Sequence, residues 1–268
     1  QVKGEVLETL IVVDAIVVNG LLNGPGRIDF LDGGYYQGNF KDGYFHGPGY
    51  LETSTYRYVG NFLDGVYNGQ GRLEIFTSGI SQEGSFQNGL LWGEGRLTCT
   101  KSGITRYGTF KANKLVQGTL ETRSGAKFVG TFVDDKITNG VAYYDKTTYE
   151  GSFVEFCPNG QGSLYYQAES PVEWYRGMFD MCKLQGSGTI RWKTGNEYAG
   201  EWFDGKMHGQ GSMSFAKTGA TISGTWTRGV YNGKMLYTTS SGKQIVQEYV
   251  SGKLIQPVSP CRCPANSS

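Results

Sequence analysis

The sequence predicts an all-β protein: a repeat array of stacked antiparallel β-hairpins, one face aromatic and glycine and the other mostly polar. Three observations predict it. Glycine is dense, 42 of 268 residues, and comes with 18 Tyr, 14 Phe and 5 Trp but only 7 Pro. An ordered pattern, aromatic-x-Gly-x-aromatic-x-Asp-Gly and then Gly-x-Gly-x-apolar, recurs along the chain. Each half of it alternates with period two, and Asp-Gly or Asn-Gly stands between the halves, the strongest short hairpin signal.

The repeat is clearest in three places. Tyr36-Gln37-Gly38-Asn39-Phe40-Lys41-Asp42-Gly43 leads to His46-Gly47-Pro48-Gly49-Tyr50-Leu51. Tyr58 to Gly65 leads to Asn68-Gly69-Gln70-Gly71, and Tyr198 to Gly205 leads to His208-Gly209-Gln210-Gly211. The first glycine of each copy falls at Gly38, Gly60, Gly84, Gly108, Gly130, Gly151, Gly177, Gly200 and Gly224, in steps of 21 to 26 residues. Weaker copies precede and follow, with Ala15 and Gln247 in the glycine position. Residues Gly4 to Thr9 read like the second half of a further copy, as expected of a chain cut from a longer one.

Alternation assigns the faces. Tyr36, Gly38 and Phe40 point one way; Gln37, Asn39 and Lys41 point the other. In the second strand Gly47, Gly49 and Leu51 form one set, and Pro48, Tyr50 and Glu52 the other. An interior strand glycine costs about 1 kcal/mol against alanine, but it leaves a hollow that a ring can fill. A ring buries on the order of 150–250 Å², worth roughly 4–6 kcal/mol gross at about 25 cal/mol per Å². Ring packing therefore outweighs the glycine penalty, and stacked neighbours must stabilise hairpins that are marginal alone.

Composition removes other classes. Collagen needs glycine at every third position with abundant proline, and a disordered linker is poor in aromatics. No apolar run approaches the roughly 20 residues of a membrane-spanning helix. Lys+Arg is 25 and Asp+Glu is 24, so no basic excess points to nucleic acid and membrane attraction is only weakly supported. The five cysteines, Cys99, Cys157, Cys182, Cys261 and Cys263, are odd in number and unevenly spaced. That predicts reduced thiols rather than a disulfide framework.

The ordered, near-periodic pattern resembles the MORN (membrane occupation and recognition nexus) family over nearly the whole chain. The resemblance implies an elongated, twisted, single-layer array of antiparallel β-hairpins with an aromatic-lined groove. At about 4.8 Å per strand the array is expected to be a rod on the order of 100 Å long. The domain reading is a partial leading repeat over 1–12, a MORN array of about ten to eleven units over 13–254, and a loose, proline-bearing tail over 255–268.

The departures are concentrated between residues 106 and 182, read as an irregular centre. Gln82 and Arg106 replace the first aromatic of two units. Asn113, Asp135, Phe156 and Cys182 replace the turn glycine of four. The units of Gly108 and Gly130 are one residue short and keep a single second-strand glycine, Gly118 and Gly140. A long loop is expected from Gln167 to Trp174.

Catalysis finds little support, and the reading is a non-enzyme. His46 and His208 share one repeat slot with Asn23, Asn68 and Asn232, which marks a turn position. Two such histidines assemble no nucleophile, base and orienting group. The Gly-x-Gly pairs lie in strands with no helix following, unlike a dinucleotide fingerprint. The pairs Asp134-Asp135 and Glu169 with Glu173 read as solvated loop charges. Cys261-Arg262-Cys263 has no second cysteine pair to complete a metal site. No catalytic, cofactor or metal residue is assigned, and no cofactor is expected.

Binding remains. The expected function is a non-catalytic scaffold that takes a partner protein, as a helix or extended segment, in the aromatic groove. The candidate contacts are Tyr36, Phe40, Tyr58, Phe62, Phe86, Phe110, Phe128, Phe132, Tyr149, Phe153, Tyr175, Phe179, Tyr198, Trp202 and Trp226. The resemblance implies cytoplasmic, cytoskeletal or ciliary settings such as axonemal assemblies. Homodimer pairing at a strand edge is compatible with the reading. The alternatives are a phosphoinositide-membrane tether and a regulatory region cut from a larger enzyme. On this reading, polar substitution of Phe132 and Phe153 abolishes capture and leaves the sheet intact.

Overall fold

The computed structural model describes residues 10–255. The chain divides at Asp145/Lys146 into two compact units. The first holds twelve strands: β1 Leu10–Val18, β2 Leu21–Phe30, β3 Tyr35–Lys41, β4 Tyr44–Glu52, β5 Tyr56–Leu63, β6 Val66–Ile75, β7 Ile80–Gln87, β8 Leu90–Cys99, β9 Ile104–Lys111, β10 Lys114–Glu121, β11 Lys127–Val133 and β12 Lys136–Tyr143. The second holds ten: β13 Thr147–Val154, β14 Cys157–Tyr166, β15 Val172–Asp180, β16 Lys183–Trp192, β17 Glu197–Phe203, β18 Lys206–Phe215, β19 Ala220–Thr227, β20 Val230–Thr238, β21 Gln244–Val250 and β22 Lys253–Ile255.

Within each unit, each strand pairs antiparallel with the next in sequence, as a meander of hairpins. No helix occurs among the described residues. The all-β hairpin class is therefore the observed one.

The turns within the hairpins are two residues long, and both residues take positive φ, the twist that matches flanking strands. Asp42 and Gly43 are at 50° and 84°, Asp64 and Gly65 at 49° and 80°. The glycine-free turns keep this geometry: Asn113 is at 67°, Asp135 at 63°, Phe156 at 65° and Cys182 at 70°. Loss of glycine in the centre thus changes side-chain chemistry and not the turn.

The shortened units lose bulge residues instead. In β3–β4, Gly38 faces Gly49 and Asn39 faces His46, so Gly47 and Pro48 are extra on the second strand. In β9–β10 only Val116 is extra, and in β11–β12 only Thr138. The first glycine of Gly-x-Gly is therefore a bulge residue, with Gly47 at φ 63° and Gly69 at 89°. It does not open the second strand, which already begins at the residue after the turn, Tyr44 in β4. The loop expected over Gln167 to Trp174 is also shorter, because β15 begins at Val172.

The cysteine expectation is overturned for one pair: Cys157 and Cys182 form a disulfide, with Cα atoms 4.8 Å apart. Their separation of 25 residues is about one repeat, so equivalent ends of adjacent hairpins bring them together. Cys99 is free. The partial repeat at Gly4 to Thr9 and the Cys261/Cys263 pair lie outside the described residues.

Candidate interaction surface

The fifteen candidate rings all lie on the glycine face, and all are buried, none more than 6% exposed. They fill that face by covering one another. Rings of successive hairpins meet edge to face: Tyr36 with Phe62 at 5.4 Å, Tyr58 with Phe86 at 5.5 Å, Tyr175 with Trp202 at 5.2 Å and Tyr198 with Trp226 at 4.9 Å. Alternation shows which face a ring occupies but not what covers it. The cover comes partly from the second residue of the return strand. Phe45 stacks on Tyr36 at 3.7 Å and Tyr67 on Tyr58 at 3.8 Å. Leu91, Leu115 and Ile137 take that position in their hairpins and are buried.

Five tyrosines, Tyr36, Tyr58, Tyr149, Tyr175 and Tyr198, are wholly buried and lie over glycine pairs. A methyl carbon built on Gly49, Gly71, Gly162, Gly188 or Gly211 would stand between 2.5 and 2.9 Å from the Cζ of the tyrosine above it. Each hydroxyl donates to the carbonyl three residues on: Asn39 at 2.8 Å, Asn61 at 3.0 Å, Ser152 at 3.0 Å, Met178 at 3.1 Å and Glu201 at 3.0 Å. The sequence carried a signal for this bond: the first aromatic is tyrosine in these units, whereas the second is phenylalanine or tryptophan.

Burial raises four of these phenols. Tyr36, Tyr58 and Tyr198 are pushed up to about 12 by desolvation, and Tyr175 is raised for the same reason. Their folded values exceed the unfolded value of about 10. The stability they contribute is complete below pH 10 and is lost as pH rises through 12. Alkaline titration is therefore expected to unfold the sheets over that window, with tyrosinate absorbance and loss of β-sheet circular dichroism rising together. Ionisation of these buried tyrosines themselves well below pH 11, with the sheet intact, would contradict it.

The polar replacements form pairs inside the first unit. Gln82 is buried where tyrosine stands elsewhere, and its amide donates to Asn113 Oδ1 at 3.3 Å. Asn113 Oδ1 also accepts the Leu91 N–H at 2.7 Å. One hairpin further on, Asp135 Oδ1 accepts the Leu115 N–H at 3.0 Å and lies 3.7 Å from Arg106 Nε. Gln82 thus has a hydrogen-bond partner, and Arg106 an ion-pair partner, at a turn that lost glycine. A buried polar group is tolerable only with such a partner.

Two features face outward. On the polar face, Arg27 lies over the Tyr35 ring at 4.2 Å, and Tyr35 stacks on Tyr50 at 5.2 Å. The ladder continues from Tyr50 through Glu52 to Arg57 at 3.3 Å and on to Glu74 and Arg72. Exposed pairs of this kind contribute little stability. The second feature is the row of residues that immediately follow the turns. Each leans on the turn of the next hairpin: Leu21 is 3.7 Å from the Cβ position of Gly43, Tyr44 3.6 Å from that of Gly65, and Val66 3.5 Å from that of Gly89. In the first unit the row reads Leu21, Tyr44, Val66 and Leu90, 46%, 38%, 41% and 39% exposed. It then turns basic, and Lys114 pairs with Asp134. In the second unit the same slot holds Cys157, Lys183, Lys206 and Val230, with Lys183 paired to Asp204.

These geometries define an open hairpin-repeat sheet stabilised by rings laid over glycine. Four stretches, residues 36–53, 58–75, 83–104 and 198–219, match the MORN repeat model, so the chain carries four MORN repeats. It is similar over most of its length to a point mutant of the TCP10 domain of Danio rerio CPAP, at 11% identity, covering 92% of this chain and 96% of that one, with a TM-score of 0.29. It is similar also to the SAS-4 (dCPAP) TCP domain of Drosophila melanogaster in complex with a proline-rich motif of Ana2 (dSTIL), at 8% identity, 84% of each chain and a TM-score of 0.19. Likeness at these scores says nothing about what this chain binds. No curated protein matches the sequence.

Proposed function

We propose that this chain is a non-catalytic scaffold whose first unit binds an amphipathic helix of a partner protein along the post-turn row. The observation that supports it is the exposure of Leu21, Tyr44, Val66 and Leu90, one apolar side chain per hairpin at one edge of the sheet. Aligned exposed apolar groups mark interaction sites. The buried rings lack that access.

Hairpin spacing is roughly 10 Å, two strand separations. Seven residues of α-helix advance about 10.5 Å. A helix with apolar residues at i, i+7 and i+14 therefore meets successive hairpins. The exposed carboxylates of Asp42 and Asp64 flank the row and favour lysine or arginine beside the apolar stripe. The setting suggested by the repeat family is a cytoskeletal or ciliary assembly. A lipid tether is the rival, and anionic vesicles test it directly.

The deciding variant carries Tyr44→Ser, Val66→Ser and Leu90→Ser. Its β-sheet circular dichroism is expected to persist, because all three side chains are exposed. Affinity purification from the native cell is expected to lose the partners that the parent chain captures. Undiminished capture by the variant overturns the reading, as does salt-sensitive binding to anionic vesicles with no protein partner.

A further inference from the structure

The disulfide occupies a joint whose geometry the rest of the array explains. A residue after one turn leans on the second turn residue of the next hairpin, as Tyr44 leans on Gly65 and Val66 on Gly89. Cys157 is the post-turn residue of β13–β14, and Cys182 is the second turn residue of β15–β16. The bond therefore joins two positions that are in contact by construction of the repeat. It closes between hairpins and not within one.

Two further features set this joint apart. Cys182 stands at φ 70°, in a turn position that is glycine in most hairpins, where an L-residue carries a conformational cost. Pro158 is the second residue of β14, where other return strands place Phe45, Tyr67, Leu91 or Leu184. It brings less apolar surface to the joint than they do. Noncovalent ties across the joint at the turns include the Cys182 N–H to Pro158 O bond at 2.9 Å and the Asn159 amide to Asp180 Oδ1 bond at 3.4 Å. Cys182 is exposed and Cys157 half-buried, so a small thiol reaches the Cys182 sulfur first.

We propose that Cys157–Cys182 is a thiol-responsive clasp that holds hairpin β13–β14 onto β15–β16. A thiolate of a low-molecular-weight thiol attacks Cys182 Sγ and forms a mixed disulfide there. The Cys157–Cys182 bond breaks, and Cys157 leaves as thiolate and takes a proton from water. A second thiolate attacks the small-molecule sulfur, releases the oxidised small-molecule disulfide and leaves Cys182 as a thiolate that is protonated. The two cysteines gain two electrons in all, and the two small thiols supply them. Opening of the clasp loosens one hairpin while the next joints keep their packing.

The test compares the full chain after aerobic purification, after dithiothreitol, and after reoxidation with glutathione disulfide. Differential alkylation with peptide mapping reports the bond, and free Cys99 is the internal control. Hydrogen exchange is expected to quicken at least about tenfold in β13 and β14 on reduction, to stay unchanged in β17 and β18, and to slow again on reoxidation. The Cys157→Ser, Cys182→Ser variant should show the fast rate under all three conditions. If that variant fails to fold, the reduced parent chain supplies the same comparison. The proposal falls if both cysteines stay fully alkylatable after glutathione disulfide. It falls equally if exchange is indifferent to reduction or quickens uniformly across the second unit.

Discussion

Gly49→Ala is expected to destabilise the first unit by about 3 kcal/mol or more, the upper end for overpacking. Gly49 has no positive φ, so the backbone tolerates alanine. The obstacle is Tyr36, whose Oη, Cε2 and Cζ would lie 2.6, 2.7 and 2.9 Å from the new methyl carbon. The ring is stacked under Phe45 and edged by Phe62, so it has no empty volume to enter. If it swings out, it forfeits roughly 4–6 kcal/mol of burial and its bond to the Asn39 carbonyl. Gly125→Ala is the control. Gly125 has nothing within 4 Å of a Cβ but stands at φ 88°, so its cost is backbone strain alone, about 1–2 kcal/mol. Urea unfolding of the two variants separates the effects. Equal losses, or a milder loss for Gly49→Ala, would show that glycine serves this strand only through backbone freedom.

The hairpin order was legible in the sequence because period-two alternation and Asp-Gly or Asn-Gly turns are local signals. The pairing of Gly38 with Gly49 and Gly60 with Gly71 follows from them. What lay beyond reach depends on the offset between successive hairpins. Gln82 meets Asn113 across 31 positions, and Cys157 meets Cys182 across 25. Both contacts require the post-turn end of one hairpin to rest on the turn of the next, a relation no single repeat contains. Counting cysteines missed the disulfide because parity and even spacing describe small disulfide frameworks, whereas here one bond is added to a sheet already held by rings. The candidate site was half legible. The ringed face was identified, but neighbouring hairpins close it, and the post-turn row Leu21, Tyr44, Val66 and Leu90, exposed on successive hairpins of the first unit, falls at positions that the repeat pattern leaves unspecified.

Phe132→Ser and Phe153→Ser, made singly, are each expected to cost about 3–5 kcal/mol, the range for emptying a buried phenylalanine site. The introduced hydroxyl adds to that cost if it finds no partner. Both rings are only 4% exposed, so a partner meets almost none of their surface. The reading from alternation alone expects lost capture with an intact sheet; burial reverses that expectation. In a repeat array the damage is local at first, because each hairpin depends on its neighbours. Hydrogen exchange is therefore expected to quicken in β11 and β12 for Phe132→Ser, and in β13 and β14 for Phe153→Ser, with a drop in the urea midpoint. Partner capture should fall only in proportion to the folded fraction, whereas Tyr44→Ser with Val66→Ser and Leu90→Ser should abolish it in folded protein. Parental stability in either phenylalanine variant, with capture lost, would restore the ring face as the contact surface and remove the post-turn row from that role.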